Sequence, residues 1–95
     1  MLSLAYFLNE SDEFFKTIKK LRKHDPQMYE RVKKRMDEIL ENPGHFKPLG
    51  NVLKNYRRAH VGSFVIAFRI IEDQMIVRFV AYAHHDDIYE KSFNE

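Results

Sequence analysis

Hydrophobic and polar residues alternate along the last third of the chain, from Asn55 to Tyr89. An alternation with a period of two is typical of β-strands, and the pairs Gly62-Ser63 and Asp73-Gln74 predict tight turns between strands. We therefore predict three antiparallel strands in this region. Turns at those two pairs place Val65 opposite Tyr82, Ala67 opposite Val80 and Arg69 opposite Arg78.

The alternation divides the side chains of this sheet into two faces. One face carries no charge and is predicted to hold Phe64, Ile66, Phe68, Ile70, Met75, Val77, Phe79 and Ala81. The other is predicted to hold Tyr56, Arg58, His60, Val65, Ala67, Arg69, Arg78, Val80, Tyr82 and His84. Arginine, histidine and tyrosine among small apolar residues make this second face suitable for an anionic or aromatic ligand.

The beginning of the chain predicts a strand followed by a helix. The apolar run from Leu2 to Leu8 is too short for a helix and predicts a strand. Asn9 or Ser11 can cap the next element, in which apolar residues recur at helical spacing from Phe14 to Leu21. This helix should end near His24.

A second helix should follow at once, because Asp25 is a suitable cap and Pro26 fits the first helical position. Its apolar stripe comprises Tyr29, Val32, Met36, Ile39 and Leu40. The helix should end at Asn42-Pro43-Gly44, since proline and glycine interrupt helices. The acidic segment after His84 predicts a short terminal turn or helix.

These elements predict an α+β fold with the order β-α-α-β-β-β, folded as a single domain of residues 1–95. The two helices should form an antiparallel hairpin on the uncharged face of a small, mainly antiparallel sheet. The face with arginines and histidines is then left open, apart from what the C-terminal segment covers.

Composition and charge narrow the class of protein. The chain has no cysteine, which excludes disulfides and cysteine-based zinc sites. It also has no run of about 18 apolar residues and no signal-peptide pattern. We therefore expect a cytoplasmic protein without a membrane span. Nine basic and two acidic residues lie between Lys16 and Arg35, and this block is either a solvated helix surface or an attractor of nucleic acid.

The arginines of the second face indicate phosphate binding. Arg69 and Arg78 are like charges placed opposite each other, which is unfavourable unless acidic side chains or an anionic ligand relieve them. Arg58 shares their face, whereas Arg57 has the opposite parity. Tyr82 can either stack on a nucleic-acid base or belong to the rim of the core.

The histidines offer acid–base chemistry. His60 and His84 share the predicted face and His85 follows, so one imidazole can take a proton from a ribose 2′-OH and another can give one to the leaving 5′ oxygen. Arginines would stabilise the charge on the phosphate between them. These parts predict RNA cleavage without a metal or cofactor. The alternatives are solvated histidines at a strand end and metal binding by His60 and His84, for which no carboxylate spacing such as HExxH is present.

Several motifs resemble those of the RelE/ParE superfamily of toxins. They are the helix end ENP at Asn42, the Leu49-Gly50 pair, YRRAHVGSFVIAFRI from Tyr56 and AYAHHDDIY from Ala81. The resemblance covers nearly the whole chain and implies the same fold and neutralisation by a small antitoxin. It also implies cleavage of messenger RNA in the ribosomal decoding site or, in the ParE branch, poisoning of DNA gyrase.

The resemblance implies roles for single residues. Tyr89 occupies the position of a tyrosine that many RelE-like nucleases need for cleavage. Val65 occupies the position of the arginine that stabilises their transition state. The YafQ branch is matched by Arg57, His60 and His84, and Lys47 stands where that branch has a histidine before the sheet. The predicted catalytic residues are Arg58, His60, His84, His85 and Tyr89. The predicted phosphate and RNA contacts are Lys47, Arg57, Arg69, Arg78 and Tyr82, with Lys19, Lys20, Lys23, Lys33 and Lys34 on the helices.

Two functions remain open from the sequence. The first is a toxin that cleaves messenger RNA on the ribosome, docks on ribosomal RNA through its basic helices and uses either His60 or His84 as the base. The second is a protein that binds without catalysis, either a gyrase-directed relative or a decayed toxin. Under both we expect a heteromeric complex with a RelB-like antitoxin that covers the Arg/His face or displaces the segment after Asp86.

Overall fold

A computed structural model describes residues 5–50 and 55–91 and has the predicted order of elements. The elements are β1 (Phe7–Glu10), α1 (Asp12–His24), α2 (Pro26–Glu41), β2 (Arg57–Val61), β3 (Phe64–Ile71) and β4 (Ile76–His84). Short 3₁₀ turns lie at Pro43–His45, Glu72–Gln74 and Ile88–Glu90. The four strands form one sheet in the order β1-β4-β3-β2, so the predicted α+β fold is confirmed.

The first strand lies further along the chain than predicted. It runs from Phe7 to Glu10, whereas residues 2–4 of the predicted strand lie outside the described residues. β1 pairs in parallel with β4, with Phe7 beside Ile76, while the other strand pairs are antiparallel. A parallel pairing requires a crossover connection, and the chain between β1 and β2, which includes α1 and α2, supplies it.

Two side-chain caps set the limits of the helices. Ser11 caps α1 by accepting a hydrogen bond from the Phe14 N–H at 3.1 Å. Asp25 accepts one from the Met28 N–H at 3.2 Å and donates its own N–H to the Leu21 carbonyl at 2.8 Å. Asp25 therefore ends α1 and begins α2, and the joint of the hairpin is a single residue.

β4 contains a β-bulge. Ala67 pairs with Ala81 and the next residue, Phe68, pairs with Phe79, so Val80 is an extra residue in β4. Ser11 holds this irregularity, because its hydroxyl donates to the Val80 carbonyl at 3.0 Å and its N–H donates to the Phe79 carbonyl at 2.9 Å. One serine thus joins the start of α1 to the bulge.

Because of the bulge, part of the predicted strand register is wrong. The Arg69–Arg78 pair is confirmed, but the two predicted pairs beyond the bulge are wrong by one residue. Tyr82 lies opposite Ile66 and His84 opposite Phe64. Because an extra residue reverses the alternation, Tyr82 and His84 lie on the helix-covered face rather than with Arg58 and His60.

Apolar side chains are buried on both sides of the sheet. Between the sheet and the helices lie Phe14, Val32, Met36, Ile39, Ala59, Val61, Ile66, Phe68, Val77, Phe79 and Tyr82. On the other side a smaller cluster contains Leu49, Tyr56, Val65, Ala67, Val80, Ala81 and Ile88. Leu49 and Ile88, from the segments flanking the sheet, are fully buried, so the second face is partly covered rather than open.

Candidate functional site

Three arginines share the face opposite the helices. Arg58 lies beside Ala67 in the β2–β3 register, and Arg69 lies opposite Arg78 between β3 and β4. Arg78 donates to the side-chain oxygen of Asn9 and, at 3.3 Å, to the Glu10 carbonyl. Arg78 therefore holds β1 against β4, two strands away from Arg58, and its guanidinium is partly engaged by the protein itself.

Arg58 and Tyr89 are joined although 31 positions separate them in the chain. The Arg58 guanidinium donates to the Tyr89 hydroxyl at 2.7 Å. The Arg58 N–H also donates to the Lys47 carbonyl at 3.0 Å, which brings the segment before β2 to the same place. Half of the Tyr89 surface is exposed, so the ring remains accessible. Hydrogen bonds thus join three predicted site residues: Lys47, Arg58 and Tyr89.

A groove with a basic lining lies next to this contact. It has a volume of about 340 Å³ and is lined by Arg35, His45, Phe46, Lys47, Arg58, Ala59 and His60. No acidic side chain is among its lining residues, although Arg35 also pairs with Glu38 beside the groove, so the groove keeps a net positive charge. Such a groove attracts phosphate groups, and the exposed His60 lies within reach of what binds there.

Arg35 contributes to this groove from α2. Its guanidinium lies over the Phe46 ring, 4.9 Å from the centroid, and its Nη1 atom contacts Glu38 at 3.0 Å. The Nε donor is buried and has no hydrogen-bond partner among the described residues. Stacking on the ring fixes the plane of the guanidinium, which favours recognition of a phosphate.

A second groove continues along the same edge of the sheet. It measures about 360 Å³ and is lined by Arg31, Lys34, Arg35, Glu38, His60, Val61 and Gly62. Arg35 and His60 line both grooves, so the two form a continuous basic track between α2 and β2. The basic residues of α2 are therefore connected to the predicted site residues rather than separated from them.

His84, His85 and Asp86 form a separate group where β4 ends. Asp86 Oδ1 lies 3.0 Å from His85 Nδ1, and Asp86 Oδ2 lies 3.5 Å from His84 Nδ1. The Asp86 N–H donates to His84 Nδ1 at 3.2 Å. One donor atom from each of the three residues lies within 4.8 Å of the others, so the group could hold a metal ion.

Tyr82 and His84 are the predicted site residues that the fold moves elsewhere. The Tyr82 ring is 7% exposed and stacks on Phe64 with 5.1 Å between the centroids, so it cannot stack on a base without opening the core. Burial raises the pKa of Tyr82, the charge of Asp25 raises it further, and Arg31 opposes this. The His84 ring packs edge-on against Phe64 at 5.6 Å.

Other predicted contacts divide between structural and surface positions. Arg57 lies on the opposite side of β2 from Arg58 and donates to the Phe46 carbonyl, which fixes the segment before β2. Val65 is 1% exposed within the second cluster. The helix lysines are exposed, namely Lys19, Lys20, Lys23, Lys33 and Lys34.

Two residues of the groove, Arg35 and His45, were not predicted from the sequence. A signal for Arg35 existed, since it follows Val32 by three positions and precedes Ile39 by four, which places it on the buried side of α2. An arginine on the buried side of a helix is a candidate for a site. Nothing in the local pattern marks His45, which lies in the 3₁₀ turn after α2.

Comparisons with known proteins give one family. The family model described as "ParE toxin of type II toxin-antitoxin system, parDE" matches residues 8–89. The candidate toxin RelE4 of Methanocaldococcus jannaschii is 40% identical over 77 residues, which cover 80% of this chain and 82% of that protein.

Solved structures show the same fold. A chain of the toxin–antitoxin complex RelBE2 from Mycobacterium tuberculosis superposes with a TM-score of 0.73 at 20% identity, covering 84% of this chain and 91% of that one. A chain of the intact E. coli RelBE toxin–antitoxin complex gives a TM-score of 0.70 at 23% identity, covering 84% and 96%. Within the described residues, no helix is long and apolar enough to cross a membrane.

Proposed function

The chain belongs to the ParE toxin family of type II toxin–antitoxin systems, within the RelE/ParE superfamily, and we propose that it acts as a ribosome-dependent endonuclease of messenger RNA. The observation that carries this proposal is the 2.7 Å hydrogen bond between Arg58 and Tyr89 beside a basic groove that also contains His60. The bond brings a phosphate-binding group and an accessible aromatic ring to one place, which a nuclease requires.

The groove supplies the groups for cleavage by the ribose 2′-OH. Arg58 and Arg35 hold the scissile phosphate and stabilise the negative charge that grows on its oxygens. His60 takes the proton from the 2′-OH, whose oxygen then attacks phosphorus while the bond to the 5′ oxygen breaks. Tyr89, oriented by Arg58, stacks on the adjacent nucleotide. The products are a 2′,3′-cyclic phosphate and a 5′-OH end.

The second proton transfer is assigned to His85 rather than to His84. His84 packs against Phe64 on the helix-covered face, whereas His85 is more exposed and pairs with Asp86 at 3.0 Å. A carboxylate beside one imidazole nitrogen fixes the orientation of the ring, and the other nitrogen can then deliver a proton. That proton goes to the leaving 5′ oxygen.

The partners follow from the basic track and from the relatives. The lysines of α1 and α2 are exposed, and Lys34 of α2 also lines the second groove; this basic surface suits ribosomal RNA, whose phosphates attract cations independently of sequence. The M. tuberculosis and E. coli relatives were solved as toxin–antitoxin complexes. We assign a RelB-like antitoxin to this chain as well, in a heteromeric complex that covers the groove.

The proposal is tested by primer extension of a messenger RNA translated on purified ribosomes. His60→Ala should slow single-turnover cleavage by about 10²- to 10⁴-fold, since that is the usual contribution of a positioned acid or base. Arg58→Ala should slow it by about 10²- to 10³-fold. The matched control is His24→Ala, an exposed histidine at the end of α1 and outside the grooves. Wild-type cleavage by His60→Ala would refute the mechanism.

Inhibition of DNA gyrase is the second candidate function. Two observations favour it: the matching family model is that of ParE toxins, and Val65, where RelE-type nucleases carry an arginine, is a buried core residue here. The two functions separate in a supercoiling assay with purified gyrase. Accumulation of cleaved gyrase–DNA complexes together with intact messenger RNA on ribosomes would favour gyrase and exclude the first candidate.

A further inference from the structure

The turn after β4 brings three metal-ligating side chains together in consecutive positions. His84, His85 and Asp86 each offer one donor atom, all within 4.8 Å of one another. The centroids of the two imidazole rings are 4.3 Å apart. Two nitrogens and one carboxylate oxygen form the donor set typical of an open zinc site, in which water completes the coordination.

The backbone fixes the geometry of this turn. The His85 N–H donates to the Ser63 carbonyl at 2.9 Å, and the Asp87 N–H donates to the His84 carbonyl at 2.9 Å. The His84 ring is also held edge-on against Phe64. The donor atoms, now within 4.8 Å of one another, must approach to the about 3.3 Å separation of a tetrahedral zinc site.

The hydrogen bonds leave a favourable place for a cation. His84 Nδ1 accepts the Asp86 N–H at 3.2 Å, so this nitrogen presents a lone pair rather than a proton. Asp86 Oδ2, another acceptor, lies only 3.5 Å from it. A cation bound between them replaces the long Asp86 N–H hydrogen bond as the partner of the single Nδ1 lone pair and is also attracted by the carboxylate.

We propose that His84, His85 and Asp86 bind one divalent transition-metal ion of the zinc class. Imidazole ligands select zinc, nickel and copper, whereas Mg²⁺ and Ca²⁺ require mainly oxygen ligands. The metal ion coordinates the imidazole of His85, to which the proposed function assigns the second proton transfer. Occupancy therefore inhibits messenger RNA cleavage, and this consequence alone rests on the proposed function.

The test is calorimetric titration of the untagged, full-length protein with ZnCl₂ at pH 7.5 in a non-chelating buffer. The wild type should bind about one Zn²⁺ per chain and give no heat with MgCl₂. His85→Ala and Asp86→Asn should each weaken binding by at least about tenfold. The exposed position of both side chains leaves the fold intact, which circular dichroism verifies.

The matched control is His45→Ala, a histidine of the other groove, which should leave the zinc affinity unchanged. An equal zinc affinity of wild type and His85→Ala, or no zinc binding by the wild type, would overturn the proposal. The titration contains neither ribosome nor RNA, so its outcome is independent of the nuclease assay. If zinc binds at this turn but cleavage is absent or insensitive to it, the metal site stands and the assignment of His85 fails.

Discussion

Replacing Ser11 with alanine should destabilise the protein more than the loss of an ordinary helix cap. Ser11 makes two side-chain hydrogen bonds: it accepts from the Phe14 N–H and donates to the Val80 carbonyl in the bulge. Loss of a serine cap costs about 1 kcal/mol. Loss of the second bond, which leaves a part-buried carbonyl unpaired, costs about 1–2 kcal/mol more.

We therefore expect a decrease of about 2–3 kcal/mol in the free energy of unfolding for Ser11→Ala. For a domain of this size, this corresponds to a fall in Tm of roughly 10–20 °C. The matched control is Asp25→Ala, because Asp25 caps α2 at an exposed position through one hydrogen bond to Met28. That variant should lose only about 1 kcal/mol.

The assay is equilibrium unfolding in urea followed by circular dichroism, with the m-value checked for each variant. Ser11→Asp separates the two contributions, since aspartate can cap α1 but cannot donate a hydrogen bond to Val80. It should lie between the wild type and Ser11→Ala. If Ser11→Ala and Asp25→Ala lose the same free energy within about 0.5 kcal/mol, the Ser11–Val80 bond does not stabilise the bulge.

Three further predictions concern single side chains. Tyr82→Phe should lower the free energy of unfolding by less than about 1 kcal/mol or even raise it, because the buried hydroxyl has no partner among the described residues. Tyr82→Ala, which removes the ring, should cost about 3–5 kcal/mol in the same urea assay. Gly62→Ala should lower the free energy of unfolding by about 1–2 kcal/mol because the φ of Gly62 is +60°. Gly44→Ala is the control: its Cβ would meet no atom within 4 Å, so it should cost less than about 0.5 kcal/mol. A comparable loss in both variants would show that the positive φ of Gly62 does not cause the effect. Burial raises the pKa of Glu10, so the wild type loses stability as the pH rises from the ordinary glutamate pKa through the higher pKa of the folded state. Glu10→Gln has no such proton, and its stability relative to the wild type should therefore increase between about pH 3 and pH 7. A constant difference between the two proteins in urea unfolding at these pH values would contradict this prediction.

The order of elements and their limits follow from local chemistry and are predictable. Asp25-Pro26 marks the joint of the hairpin, Asn42-Pro43-Gly44 marks its end, and Gly62 marks the tip between β2 and β3. Each acts through its own backbone preference or through a neighbour three residues away. Sequence alone is sufficient for features of this kind.

The bulge was not predictable in the same way. Val80, Ala81 and Ala83 are small and apolar, so β4 fits an alternating pattern with or without an extra residue. The Ser11 hydroxyl that donates to the Val80 carbonyl in the bulge lies 69 positions away in the chain. The same limit explains the error for His84, because everything beyond the bulge changes face with it.

The arrangement of the candidate site depends on tertiary contacts that the sequence reports only in part. Arg58, Lys47 and His60 lie along one groove, as their types suggested. The contact of Arg58 with Tyr89 and the stacking of Arg35 on Phe46 depend on tertiary packing between elements distant in the chain. Periodicity reports which face a residue occupies, but it does not report which other elements meet that face.

The parallel pairing of β1 with β4 has a consequence for synthesis of the protein on the ribosome. Phe7 pairs with Ile76, so β1, the first of the four strands to be synthesised, can pair only after β4, the last of the four, has been synthesised. Helices α1 and α2 can form as they emerge, but their apolar sides have no sheet to cover until β3 and β4 follow. Contacts this distant in sequence slow folding. A nascent chain therefore completes its sheet only after β4 has left the exit tunnel.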